Sequence, residues 1–245
     1  SMPNSDLGLW MLCNFSTVAE VRKALPEIYV YGQFLKMLER IIPVHFAVHD
    51  PSGDSIVIEY TKGKLNIFDN KIGIMTNSPT YDWQLTNLSN YANLTNINVK
   101  SYDFNGETIS PIGQGSGLLG LPGDWTPPSR FVRVAICVKF ADPGKDASEA
   151  INTALHILNV FDIPKGVIKE VTKEGVGEDI TEWIVVKDLT NQVFHFRTFE
   201  NLSVRAVDLK KLDFGPGAKS LKMDITGGND INDITDSFKK SGSAN

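Results

Sequence analysis

The order in which two hydrophobic periods follow each other predicts an α+β chain. From Ile41 to Met75 apolar and polar residues alternate, the period of half-buried strands, and the same alternation returns from Thr181 to Asp208. Between them, from Thr126 to Phe161, apolar residues recur at helical spacing. The strands within each block are joined by turns of a few residues, which only antiparallel neighbours permit.

Ser1-Met2-Pro3 is set aside as a remnant of expression, and Leu9 to Leu12 form a short apolar opening. Thr17 and Glu20 have the spacing of a capping box, with Val18, Val21 and Leu25 on one helix face and Pro26 ending it. Strands are expected over Pro43–Asp50, Ser55–Tyr60, Lys64–Phe68 and Lys71–Met75, punctuated by turn residues at 51–54, 62–63 and 69–70. Ser78 as N-cap and Pro79 at the first helical position open a helix through Tyr91, which puts Asn77 at a strand end just ahead of a helix. A polar loop then runs from Asn93 to Ile112.

Gly113, Gly115, Gly117, Gly120 and Gly123 follow at a density that an ordinary hydrophilic loop does not need, so this loop is shaped rather than slack. Thr126 as N-cap and Pro127 at the first helical position start the next helix. Phe131, Val132, Val134, Ala135, Ile136 and Val138 make it apolar on more than one face, so it is expected to be covered on both sides. Asp142-Pro143-Gly144 breaks the pattern. Asp146 caps a second helix with Ala150, Ile151, Ala154, Leu155, Leu158 and Phe161 at helical spacing. Strands resume over Thr181–Asp188, Val193–Thr198 and Val204–Asp208, and residues 227–245 are expected to be a frayed tail.

With 245 residues, 42% of them hydrophobic, the chain is long enough to bury roughly 70–75% of its unfolded surface. Neither an internal repeat nor a low-complexity linker interrupts it, so a single domain over 1–245 is expected. The net charge of −5 is interspersed, which argues against a nucleic-acid or anionic-membrane partner. Cys13 and Cys137 supply neither a disulfide framework nor a metal-ligand spacing. His45 and His49 share one strand face but lack a third ligand, so no metal or cofactor is expected. No apolar run approaches 18 residues, and no secretory-signal pattern opens the chain. Arg130 lies in the first turn of its helix, where the dipole disfavours an exposed cation by about 0.3–1 kcal/mol. That placement fits either a nearby anionic partner or a plain salt bridge to Asp124.

LPGDWTPPSRFVR at 121–133, taken with IMTNSPTYDWQLTNLSNY at 74–91, resembles the choloylglycine hydrolase family of bile salt hydrolases and penicillin V acylases, which are N-terminal nucleophile amidohydrolases. The similarity runs from about Leu9 to Phe214. It implies a four-layer αββα sandwich, with two antiparallel sheets face to face and helices outside. It also implies amide hydrolysis beside a bulky apolar acyl group, as in conjugated bile acids, penicillin V or acyl-homoserine lactones. The family's nucleophile is an N-terminal cysteine whose own α-amino group takes the proton. By this resemblance the chain is N-terminally truncated, begins downstream of that cysteine, and is inactive alone.

Asn77 matches the asparagine of the family's TN(S/N)P motif, which the resemblance makes an oxyanion-hole donor, the plainer alternative being a cap or turn asparagine. Arg130 matches the first arginine of SRFVR, near the nucleophile, where a cation lowers a thiol pKa. Asp82, Trp83 and Gln84 are read as wall or packing residues without assigned roles. Cys13 and Cys137 lack a free α-amino group and read as small buried hydrophobes. Ser1 has the amine but no following strand. Trp125-Thr126-Pro127-Pro128 and the GSGLLG loop resemble the Gram-negative branch of the family, often exported, which favours the periplasm or secretion. A sandwich without its first strands is expected to pair with itself as a homo-oligomer or with the missing segment. The alternative function is a non-catalytic remnant that binds ligand or that segment.

Overall fold

A computed structural model describes residues 1–36, 39–173, 175–227 and 231–237. The chain falls into two compact units, Ser1–Pro143 and Gly144–Asn245.

The first unit is built on both faces of one strand. Strands β5 (Phe46–His49), β6 (Ser55–Thr61) and β7 (Lys64–Asp69) form an antiparallel meander with β6 in the middle. Successive side chains of a strand point to opposite faces, and β6 carries apolar residues on both. Ile56 and Ile58 pack with Leu7 and Met11 of α1 (Leu7–Asn14) and with Val18 and Val21 of α2 (Val18–Ala24). Val57 packs on the other face with Ile74, Tyr81, Phe131 and Ala135, which come from the connection after β7, from α3 (Tyr81–Leu88) and from α4 (Pro127–Phe140). Fully burying such an aliphatic side chain contributes about 1.5–3 kcal/mol. The central strand therefore ties two helical layers together.

The capping box forms as expected: Glu20 N–H donates to Thr17 Oγ1, and Glu20 Oε2 accepts from Thr17 N–H. Helix α4 is covered on two sides, with Phe131 and Ala135 against the sheet and Val132 and Ile136 against Leu94 and its neighbours. The glycine loop is shaped as predicted. A Cβ on Gly117 would lie 2.2 Å from the Ile97 carbonyl oxygen, so only glycine fits there.

Several expectations are corrected. Met2–Pro3, set aside above, pairs in parallel with Val30–Tyr31, and Met2 packs on the first core cluster. Lys71–Met75 is not a strand. Asn70 Oδ1 accepts from Ile74 N–H at 3.0 Å, and Gly73 takes a positive φ of 69°, which turns the chain out of the sheet. The polar stretch 93–112 contains a hairpin, Tyr102–Phe104 with Glu107–Ile109, whose Asn105-Gly106 turn has φ of 54° and 89°, as a type I′ turn requires. Cys13 is exposed rather than buried, because α1 turns Leu7 and Met11 inward and leaves Leu9, Leu12 and Cys13 on the other side.

In the second unit α5 (Ala147–Asn159) starts at Asp146, whose carboxylate accepts from Glu149 N–H at 2.9 Å, as expected. It lies along the first strand of an antiparallel sheet, Trp183–Asp188, Val193–Thr198 and Arg205–Asp208, which matches the predicted strands to within two residues. Arg197 donates to Asn159 Oδ1 and Asp162 Oδ2, each at 2.6 Å. A hairpin not predicted, Ile168–Thr172 with Gly175–Asp179, precedes that sheet. Of the expected tail, residues 228–230 and 238–245 lie outside the described residues. Arg205 Nη1 donates to the Ile225 carbonyl at 3.0 Å, which ties the chain back just before the tail begins.

Candidate active site

Asn77 sits between β7 and α3, on a segment held at several points. Thr76 Oγ1 donates to the Pro127 carbonyl at 3.1 Å, which links the segment to the start of α4. Gln84 Nε2 donates to the Asn77 carbonyl at 3.3 Å. Tyr81 N–H donates to both carboxylate oxygens of Glu59 on β6, at 3.0 and 3.2 Å, and Tyr81 Oη donates to Asn70 Oδ1 at 2.9 Å. Helix α3 consequently begins at Tyr81 and not at Pro79, and the Ser78–Pro79 peptide is cis. Ser78 is not the cap. A buried carboxylate from a strand 22 residues upstream takes the helix's first N–H, a partner that local sequence does not announce.

The start of α4 is organised by Asp124. Its carboxylate accepts from Thr126 N–H at 2.9 Å, Thr126 Oγ1 at 2.5 Å and Ser129 Oγ at 2.7 Å, and these donors hold its pKa down at about 2. Thr126 is the N-cap residue by backbone, but its hydroxyl serves Asp124 instead of capping the helix.

Asp124 is thus occupied, and the salt bridge to Arg130 does not form. Arg130 Nε donates to the Trp125 carbonyl at 2.9 Å, and Arg130 Nη2 donates to Asn77 Oδ1 at 2.6 Å. Among the described residues no carboxylate pairs with this guanidinium. Burial lowers its pKa first, and the neighbouring Arg133 adds to the effect. This half-buried cation at the start of a helix is served by two neutral acceptors, the Trp125 carbonyl and the Asn77 side chain.

The Arg130 contact also fixes the polarity of the Asn77 amide. A guanidinium has no acceptor, so the Asn77 atom facing it must be the oxygen. Nδ2 is left as a donor directed elsewhere, and no hydrogen bond from it is present among the described residues. Asn77 lines a cavity of about 340 Å³ together with Arg40, His45, Glu59, Tyr60 and Pro79. His45, which lies just before β5 and not within it, has Nδ1 3.8 Å from Glu59 Oε1. Among the described residues no three His, Cys, Asp or Glu side chains come together as metal ligands.

The structure therefore brings Asn77 and Arg130 into contact, although they are 53 residues apart in sequence. Neither cysteine lines the cavity beside Asn77. Cys137 is half-buried, and burial raises its thiol pKa, the opposite of what a nucleophile needs. Of the two residues that anchor the segment, Glu59 is missed by sequence reasoning and Gln84 is read as a wall or packing residue without a role. The position of Glu59 in an alternating strand reads as an ordinary polar residue.

Mixed helices and antiparallel sheets around this site belong to the N-terminal nucleophile hydrolase class, as the solved structures that resemble it do. A model of the family described as linear amide C-N hydrolases, choloylglycine hydrolase family, matches residues 2–234, and the chain belongs to that family. It is 37% identical over 214 residues to a bile salt hydrolase/transferase of Clostridium perfringens, covering 86% of this chain and 63% of that protein. It is 30% identical over 244 residues to a penicillin V acylase of Pectobacterium atrosepticum, covering 91% of this chain and 58% of that one. A crystal structure of a variant conjugated bile acid hydrolase from Clostridium perfringens matches with a TM-score of 0.82 at 34% identity, covering 95% of this chain and 70% of that one. The chain spans less than two thirds of the length of the curated relatives named here.

Proposed function

We propose that this chain is the oxyanion-stabilising portion of an amidohydrolase that cleaves the C–N bond of a conjugated bile acid. In this reading an N-terminal cysteine that residues 1–245 do not contain attacks the amide carbonyl, and its own α-amino group takes the thiol proton. Asn77 Nδ2 donates to the oxyanion as the carbonyl oxygen gains charge. Arg130 holds the Asn77 amide in the donating orientation, and its charge favours the thiolate. The observation that carries the reading is the 2.6 Å contact between Arg130 Nη2 and Asn77 Oδ1 beside a cavity.

Identity to the bile salt hydrolase, 37% against 30% for the penicillin V acylase, puts conjugated bile acids first. It runs against the branch suggested by Trp125-Thr126-Pro127-Pro128. Penicillin V and acyl-homoserine lactones are the competing substrates. One family match across both units supports treating residues 2–234 as a single functional domain. The cysteine-bearing segment is its first partner, and neither metal nor nucleic acid takes part.

A second reading rests on the position of the two cysteines: residues 1–245 by themselves are non-catalytic and bind ligand or that segment. Paired hydrolysis of glycocholate and penicillin V by a longer protein with the cysteine segment preceding residue 1 tests the proposal. Faster release of glycine from glycocholate is the expected result. Equal or absent turnover of both substrates defeats the substrate assignment.

A further inference from the structure

We infer that Gln84 is a positioning residue for Asn77, setting the backbone of the oxyanion donor while Arg130 sets its side chain; this rests on the role proposed for Asn77. Gln84 is 1% exposed, so its amide cannot exchange protein partners for bulk water. It faces the Asn77 carbonyl oxygen at 3.3 Å. A carbonyl only accepts, so the atom presented to it must be Nε2, and the orientation of the Gln84 amide is fixed by chemistry.

The anchoring of Gln84 makes this contact a device for placement. Gln84 lies in the first turn of α3, and its N–H bonds the Thr80 carbonyl at 3.0 Å. That turn is in turn seated by the bonds from Tyr81 N–H to Glu59 and from Tyr81 Oη to Asn70. Helix, strand and connection thus converge on one peptide group. Asn77 is reached from three directions: through its carbonyl by Gln84, through its Oδ1 by Arg130, and through Thr76, its neighbour, by the Pro127 carbonyl. Removing the Gln84 donor leaves the side-chain bond to Arg130 in place but frees the peptide to rotate. Nδ2 then no longer meets a developing oxyanion at a fixed distance, and small displacements of this kind reduce turnover steeply.

Gln84→Glu and Gln84→Met test the inference. In the glycocholate-hydrolysing protein, kcat is expected to fall at least about tenfold in Gln84→Met with KM nearly unchanged, the signature of an interaction that matters in the transition state. In Gln84→Glu the introduced carboxyl donates to the carbonyl when protonated and repels it when ionised. Activity relative to the unsubstituted protein should therefore recover as pH falls. The Asn77 side-chain amide signal in the NMR spectrum, identified by its loss in Asn77→Ala, should shift in both variants. Lower thermal stability with unchanged kcat and an unmoved Asn77 signal makes Gln84 a packing residue and overturns the inference. The NMR readout needs no turnover. A wild-type protein without hydrolysis therefore sinks the proposed function, while the Asn77 signal still decides the role of Gln84.

Discussion

Replacing Asn77 by alanine separates its role in catalysis from any role as a cap. The change removes Nδ2, the donor aimed away from Arg130, and Oδ1, the acceptor that Arg130 Nη2 uses at 2.6 Å. Loss of one oxyanion donor lowers kcat by about 10²–10³, equivalent to about 2.7–4 kcal/mol. Loss of a hydrogen bond to a charged group is worth about 1.5–3 kcal/mol when buried. This bond is exposed, and water can replace the missing acceptor, so stability should fall by less than about 1 kcal/mol. Catalytic loss is thus expected to exceed folding loss severalfold.

The assay is glycocholate hydrolysis with kcat and KM resolved, alongside urea unfolding of the same preparations. Combining Asn77→Ala with Arg130→Met adds a control. If Arg130 works through Asn77, the double variant loses little more than the worse single variant, and the coupling is large. If Arg130 acts independently on the thiolate, the losses multiply. A variant that keeps its turnover number but unfolds several kcal/mol earlier makes Asn77 a structural residue and refutes the reasoning.

Further outcomes follow from packing and from the titrating groups. Phe131→Ala, at a position with no exposed surface between the sheet and α3, should lower the unfolding free energy by about 3–5 kcal/mol in a denaturant titration. Cys13 is exposed, whereas burial raises the Cys137 thiol, so iodoacetamide at neutral pH followed by mass spectrometry should label Cys13 first. The pKa of Asp124 is depressed to about 2 by the Thr126 hydroxyl, the Ser129 hydroxyl and the Thr126 N–H. Its stabilising effect is present above the unfolded-state value of about 3.9 and is lost as pH falls through the folded value. Thermal unfolding between those pH values should therefore fall more steeply for the unsubstituted protein than for Asp124→Asn.

The elements legible in the sequence are those whose determinants are local. Thr17 and Glu20 cap α2 from within one turn, Asp146 caps α5 likewise, and the alternation of Ser55–Thr61 needs only its own residues. The misread elements depend on a distant partner in one case and on turn residues inside the segment in the others. Helix α3 starts late because Glu59, on another element, takes the Tyr81 N–H. Lys71–Met75 alternates like a strand but is bent away by the Asn70 side chain and by Gly73. Asn105-Gly106 turns a hairpin inside a stretch that reads as a polar loop, because its strands, Tyr102–Phe104 and Glu107–Ile109, are only three exposed residues each. At the site, the TN(S/N)P and SRFVR motifs picked out Asn77 and Arg130. Their mutual bond was not legible: Asp124 was the nearer candidate in sequence, and only the structure shows that two hydroxyls and an N–H already occupy it.

The account turns on where the nucleophile resides. Glycocholate hydrolysis should be compared between residues 1–245 alone and a longer chain with the cysteine-headed segment preceding them, each with and without a thiol-specific inhibitor. The account predicts inhibitor-sensitive turnover by the longer chain and none by residues 1–245. Inhibitor-sensitive turnover by residues 1–245 themselves would place the attacking thiol at Cys13 or Cys137 and contradict it.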